Sequence, residues 1–379
     1  MTDVFNWQIK RNMKYTFESP KPEKQFAAVF DINKCIGCQT CSITCKTTWT
    51  TGRGQEYMFW NNVESKPYGG YPLYWDFKLL EKLGGGKWNA DVYDGKTIFE
   101  KAAEENQNVE GFLPELDDWA YPNMGEDEIY GGEVTRGMHI NSLPHPIWFY
   151  YLPRMCNHCS HPACVANCPR HAVYKRPEDG IVLVDQSRCQ GYRQCVAGCP
   201  YKKPMYNSTT FRSEKCVACY PKVEQGHQTQ CMEHCIGKIR MQGWISPPDS
   251  PKADNPIDYL VHVKKLALPL YPQFGTQPNI YYIPPIHVPT PYLKQMFGPG
   301  VDHAIKVYRE EVPKDPILKG LLVLFGSAPE IITKFEVKNE VAMGYDAKGT
   351  LAAQTPIKEP EVIRASFDKA RDVYRLDTP

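Results

Sequence analysis

Apolar positions in this chain come in short runs rather than long periodic stretches. Phe26-Ala-Ala-Val-Phe-Asp-Ile, Ile147-Trp-Phe-Tyr-Tyr-Leu and Gly180-Ile-Val-Leu-Val-Asp each read as a strand. Each leads into a cysteine-rich segment, and His171-Ala-Val-Tyr-Lys is placed to pair with the last as a hairpin. Helical patterns are fewer: one from Ser42 to Thr50, one from Asp258 to Ala267, and one or two between Val301 and Phe325, broken near Pro313 and Pro316. Tyr281-Tyr-Ile-Pro-Pro-Ile-His-Val-Pro reads as extended, since proline opposes helix and removes ladder donors. Residues 1–25 read as an arm, and Pro247 to Pro256 as a linker. Residues 51–145 read as an insertion, aromatic at first (Trp60, Tyr68, Tyr71) and then acidic (Glu115, Asp117, Asp118, Glu126, Asp127, Glu128). It is either a solvated cap on the core or a docking surface. From Ala352 the tail is polar and charged and reads as a wrapping extension.

The chemistry lies in fifteen cysteines, which fall into four groups with none left over. They are Cys35-x2-Cys38-x2-Cys41-x3-Cys45, Cys156-x2-Cys159-x4-Cys164-x3-Cys168-Pro169, Cys189-x5-Cys195-x3-Cys199-Pro200 and Cys216-x2-Cys219-x11-Cys231-x3-Cys235. Three thiolates at this close spacing wrap one cubane cluster, while the fourth ligand comes from a distant segment. In two-cluster ferredoxins the last cysteine of each run serves the other cluster. Four groups therefore make two ferredoxin-like pairs. Disulfides are disfavoured by the odd count and by a chain too large to need stapling. Structural zinc is the competing reading, but zinc sites use pairs of cysteines rather than quartets ending in x3-Cys-Pro.

In the third group Tyr192 stands where the first group has Cys38. Tyrosine does not easily ligate iron at a fourth corner, so a cluster held by only three cysteines is expected as [3Fe–4S]; the alternative is a four-iron cluster with a water, hydroxide or tyrosinate ligand. Arg154, Arg170, Lys202 and Lys203 lie beside cysteine groups and are candidates to offset cluster charge; the alternative is ordinary surface charge. His158 and His161 sit among cysteines of a group already complete, and His234 beside Cys235 reads as a hydrogen-bond donor. No phosphate-cradling glycine loop stands out.

The expected fold is α+β: two ferredoxin-like halves, residues 26–50 with 210–245 and residues 146–209, with loop-rich insertions and a C-terminal extension over 246–379. The 33 prolines suit such a chain. The net charge of +1 suggests no nucleic-acid partner. The longest apolar stretch, Ile317 to Phe325, is far too short to span a bilayer. With no cleavable leader read at the N-terminus, the chain is expected to reach a membrane only through partners.

The run Cys189-Gln-Gly-Tyr-Arg-Gln-Cys-Val-Ala-Gly-Cys-Pro-Tyr-Lys-Lys-Pro-Met-Tyr, taken with the four groups, resembles the iron–sulfur beta subunits of nitrate reductase and its relatives. These partner molybdenum enzymes of the type II dimethyl sulfoxide reductase family. The stretches from Gly54 to Pro72 and from Phe274 to Pro285 are most similar to the nitrite oxidoreductase branch. Nitrate reductase beta subunits typically have tryptophan at the place of Tyr192. Tyrosine suits the nitrite oxidoreductase, ethylbenzene dehydrogenase and selenate or chlorate reductase branch. The resemblance implies a first [4Fe–4S] cluster on Cys35, Cys38, Cys41 and Cys235, nearest the molybdenum subunit. A second falls on Cys216, Cys219, Cys231 and Cys45, a third on Cys156, Cys159, Cys164 and Cys199. The [3Fe–4S] cluster falls on Cys168, Cys189 and Cys195, nearest a haem-bearing gamma subunit or cytochrome. The subunit would be a wire without a catalytic residue, most similar to one serving nitrite oxidation. It would be co-exported to the periplasmic side with its alpha partner, or else remain on the cytoplasmic face.

Overall fold

The computed structural model describes residues 2–17, 21–120, 148–358 and 366–375. The acidic Glu126, Asp127 and Glu128, and Ile147, lie outside the described residues. Among the described ones the fold is mixed α/β, and no helix is long and apolar enough to cross a membrane.

The central sheet has four strands in the order Arg240–Ile245, Gln25–Asp31, Ile280–Ile283, Leu268–Pro269. Gln25–Asp31 runs antiparallel to Arg240–Ile245, with Phe30 opposite Arg240, and parallel to Ile280–Ile283. Phe26 to Phe30 are buried at every position, because both faces of this strand are covered. The pairing brings the chain just after Cys235 beside the chain just before Cys35.

Three regions depart from the sequence reading. The N-terminal segment is a docked hairpin rather than a loose arm: Thr2–Asn6 pairs with Arg11–Tyr15, and Ile9, Met13 and Tyr15 are buried. Tyr15 Oη donates to the Pro162 carbonyl at 3.1 Å, which anchors the hairpin beside the second cysteine group. The stretch after residue 51 is part of the core. Asn62–Lys66 pairs with Tyr150–Arg154, and Trp75 and Asp76 of the helix Trp75–Leu83 are fully buried. Glu64, Lys66, Asp76 and Arg154 form a buried charge network. Lys66 Nζ lies 2.7 Å from Asp76, Arg154 Nε 2.7 Å from Glu64, and the Arg154 guanidinium sits 4.0 Å over the Trp75 ring. Neighbouring charges that satisfy one another offset the cost of burying them. In the C-terminal part, Leu351–Pro356 is the third strand of a meander with Lys334–Lys338 and Val341–Tyr345, so the polar tail begins inside a sheet.

Elsewhere the elements follow the sequence pattern. Val173–Lys175 and Val182–Val184 form the hairpin. Thr40–Trp49 is the helix carrying Cys45. Pro316 opens the helix Pro316–Val323, where Asp315 caps the Ile317 N–H at 2.9 Å.

Candidate metal centres

The four cysteine groups share a backbone device. The second residue after each leading cysteine has a left-handed conformation: Gly37 (φ +67°), His158 (+41°), Gly191 (+70°) and Ala218 (+49°). This turns the chain sharply, so that the cysteines on either side face one space. The first and third groups agree further. Gln39 (φ 60°, ψ 4°) and Arg193 (φ 59°, ψ 6°) occupy the same place before their helices, Thr40–Trp49 and Gln194–Gly198. By this correspondence Tyr192 occupies the backbone position of Cys38. The Tyr192 side chain is 60% exposed.

All fifteen cysteines are free thiols. Three of the sets they form line cavities. Cys35, Cys38, Cys41 and Cys235 line one together with Arg240. Cys156, Cys159, Cys164 and Cys199 line another together with Lys203 and Lys215. Cys168, Cys189 and Cys195 line a third, with Tyr192, Arg170 and Arg193 at the rim. In the remaining set Cys45 lies among Cys216, Cys231 and Cys219; burial, reinforced by those three sulfurs, raises its thiol pKa. In every group the last cysteine sits with a different group's leading cysteines. In three of the groups the short helices explain this, whereas Cys45 stays on the longer helix Thr40–Trp49. Ala163–Ala166, Gln194–Gly198 and Gln230–Glu233 each end before or at the x3-Cys position, so the chain carries that cysteine off the helix face.

Among the described residues no three histidine, cysteine or acidic side chains converge tightly enough to hold a single metal ion. Spaces lined by three or four cysteines, with no single-ion site among them, suit a polynuclear cluster rather than a tetrahedral zinc ion. Burial pushes the thiols of Cys35, Cys195 and Cys231 up to about 11, so these sulfurs need a strong positive charge nearby to become thiolates. Bound iron would supply that charge. N–H donors to sulfur are already placed: Trp49 Nε1 to Cys219 at 3.1 Å, and the backbone of Ala172, Ser213 and Ala218 to Cys168, Cys189 and Cys216, each at 3.3 Å.

The sets lie in sequence. Cys41 of one set helps to raise the thiol pKa of Cys231 in another, Cys156 that of Cys216, and Cys199 that of Cys195, so these sulfurs of neighbouring sets lie close. The order is thus the Cys35 set, the Cys45 set, the Cys156 set and the Cys189 set. Both ends reach the surface. Cys38, Ile36 and Ile236 are exposed at one, Tyr192 at the other.

A family model for a 4Fe-4S dicluster domain matches residues 147–245. The chain is 42% identical over 325 residues to the selenate reductase subunit beta of Thauera selenatis, covering 77% of this chain and 92% of that one. It is 41% identical over 319 residues to the chlorate reductase subunit beta of Ideonella dechloratans, with the same coverage. The chain belongs to the beta subunits of the molybdenum oxidoreductases. The respiratory nitrate reductase subunit beta of Haloferax mediterranei is 41% identical over 330 residues, covering 77% of this chain and 87% of that one. A beta subunit of this family is a non-catalytic, iron–sulfur electron-transfer subunit.

Of the four cations expected beside the clusters, Arg170 is exposed and Arg154 is committed to Glu64. Lys202 is buried and donates to the carbonyls of Phe112 and Ala197, both at 2.6 Å. Burial lowers Lys202 to about 7; burial, assisted by Arg154, lowers Lys203 to about 7. His158 is buried and accepts the Val182 N–H at 3.1 Å, and His161 is held down to about 4 by burial. His234 Nδ1 lies 3.1 Å from the Gln230 carbonyl. Sequence reasoning missed Arg240, Lys215 and Trp49. Burial opposes the charge of Arg240, but Cys41, Cys231, Cys235 and Cys35 more than offset it and raise its pKa. Lys215 is raised likewise by Cys156, Cys164 and Cys216 against burial. The available signal was a cation inside an apolar strand for Arg240, and one adjacent to a cysteine for Lys215.

Proposed function

We propose that this beta subunit holds three [4Fe–4S] clusters and one [3Fe–4S] cluster in a line between a molybdenum-bearing alpha subunit and a haem-bearing partner. The observation that carries the reading is the exchange of each group's last cysteine, which interlocks four sets into one row with both ends at the surface. The ligands are Cys35, Cys38, Cys41 and Cys235; Cys45, Cys216, Cys219 and Cys231; Cys156, Cys159, Cys164 and Cys199; and Cys168, Cys189 and Cys195, with Tyr192 at the open corner. Two ferredoxin-like halves account for the repeat. When bound, the clusters supply one-electron carriers. The chain's residues orient the sulfurs, exclude water from the inner sets and supply N–H donors that favour added negative charge.

Within the family the reading is nitrite oxidation to nitrate, on the periplasmic side, resting on residues 54–72 and 274–285 and on Tyr192. A second reading has electrons flowing the other way, to a nitrate, selenate or chlorate-reducing partner; the names of the similar proteins favour it. Iron and zinc analysis of the anaerobically purified complex tests the cluster reading. Three four-iron clusters and one three-iron cluster give about fifteen irons per chain; about eight, or tightly held zinc, overturns it. Turnover of that complex with nitrite, nitrate, selenate and chlorate separates the substrate readings.

A further inference from the structure

Three buried cations stand where neighbouring cysteine sets meet; one of them, Lys203, also lies in the field of the Glu64 carboxylate, and the other two do not. Arg240, 1% exposed, lines the Cys35 cavity and lies in the field of Cys35, Cys41 and Cys235, and also of Cys231 from the next set. Its guanidinium stacks 4.5 Å from the Phe30 ring and donates to Asn61 Oδ1 at 3.4 Å, while its Nε–H has no acceptor in the protein. Lys215, 2% exposed, lines the Cys156 cavity and lies in the field of Cys156 and Cys164, and also of Cys216 from the next set. It donates to the carbonyls of Val182 and Cys216.

Among the described residues, neither has a carboxylate within ion-pairing distance, in contrast to Arg154 and Lys66, which share Glu64. A buried cation without a counter-charge is strongly destabilising. The anionic groups around both are the cysteine sulfurs, and each cation reaches sulfurs of two sets.

We propose that Arg240 and Lys215 are shared counter-ions, each setting the reduction potential of two adjacent clusters at once. The inference rests on the cluster assignment above. Arg240 serves the clusters of the Cys35 and Cys45 sets. Lys215 serves those of the Cys45 and Cys156 sets. Reduction adds one negative charge to a cluster, and a fixed buried cation favours the reduced form. The Cys45 set lies in both fields. The Cys189 set lies in neither, for the arginines at its cavity rim, Arg170 and Arg193, are exposed to water.

The test is a redox titration followed by electron paramagnetic resonance, on the whole complex, with iron analysis of every sample. Arg240→Gln should weaken reduction of two four-iron clusters about tenfold, a fall of about 59 mV for a one-electron couple. Lys215→Gln should do the same to two, one of them shared with Arg240→Gln, and the double variant should shift the shared cluster most. Arg240→Lys and Lys215→Arg should keep most of the wild-type potential. The three-iron potential should stay in place throughout. Unshifted potentials at full iron content, or an equal shift of all four clusters, overturn the proposal. A wild-type complex lacking four clusters overturns the assignment beneath it instead. If Arg240→Gln loads incompletely, the loss should stop at the two flanking clusters, about eight irons, with the three-iron signal intact. Loss of that signal as well counts against a shared counter-ion.

Discussion

The loop from Cys35 to Cys41 and the loop from Cys189 to Cys195 have nearly the same backbone and different ligand sets. Their glycines agree within a few degrees (φ +67° and +70°), as do Gln39 and Arg193. Only one carries a cysteine at the middle position. The loop shape is therefore set by the glycine, the left-handed residue and the following helix, not by the middle side chain. What differs is the support beneath. A Cβ on Gly37 would meet the Tyr151 ring at 2.8 Å, whereas a Cβ on Gly191 would meet the Phe211 carbonyl at 2.4 Å. One loop leans on a side chain, the other on backbone.

The largest effect should come from filling these glycines. Gly191→Val combines a left-handed cost of about 1–2 kcal/mol with overlap worth about 1–3 kcal/mol, so denaturant unfolding should show a loss of about 4 kcal/mol. Gly37→Val should lose less, because the Tyr151 ring can turn aside. Equal losses would erase the distinction between the two supports.

Acid should separate the loops next. Tyr151 lies on the strand paired with Asn62–Lys66, where Glu64 is buried. Burial alone would raise the Glu64 pKa, but Arg154 and Lys66 outweigh it and lower it from 4.5 to about 2. A depressed carboxyl stabilises the fold fully above its unfolded value and ceases to as pH falls through its folded one. A shift of this size corresponds to about 3 kcal/mol, present above about pH 4.5 and lost between there and about pH 2. Stability measured over that window should fall for the native protein and fall less for Glu64→Gln. The Cys35 loop should lose protection from hydrogen exchange before the Cys189 loop.

Exchanging the middle residues tests the equivalence itself. Tyr192→Cys should convert the three-iron cluster to a four-iron one, abolish its oxidised-state resonance signal and lower its potential. Cys38→Tyr should create a second three-iron signal. Each changes the iron content by about one per chain. A three-iron signal that persists in fully loaded Tyr192→Cys would mean that Tyr192 does not stand at an open corner. The smallest effect belongs to Tyr192→Phe, which should leave iron content and the three-iron signal unchanged; an altered signal would make the phenol oxygen a ligand.

The strands leading into the cysteine loops and the hairpin at Val173–Val184 were legible because short apolar runs bounded by turn residues carry their own signal. So were the four cysteine groups, since spacing within a loop is local chemistry, whereas the sets that exchange their last cysteines came from the family resemblance and not from spacing. The integration of Asn62–Lys66 and Trp75–Leu83 into the core was not. Lys66, Glu64 and Asp76 look like solvated charges until Tyr150–Arg154, far along the chain, supplies Arg154. Arg240 escaped for the same reason: its surroundings are sulfurs from two cysteine groups far apart in the chain. The N-terminal hairpin was hidden because its partners, Pro162 and Gly275, are distant in sequence.

The exchange of cysteines also fixes when the protein can be completed during its manufacture. The space begun by Cys35, Cys38 and Cys41 is closed only by Cys235, and the one around Cys216, Cys219 and Cys231 needs Cys45 from near the start. At about 5–20 residues per second, the ribosome leaves the early thiols without their last companion for on the order of ten seconds or more. The set of Cys168, Cys189 and Cys195 is the one a growing chain finishes soonest, and the Cys156 set closes just after it with Cys199. Maturation should therefore run along the row from its Cys189 end to its Cys35 end, and the first thiols to be made should be among the last to be enclosed.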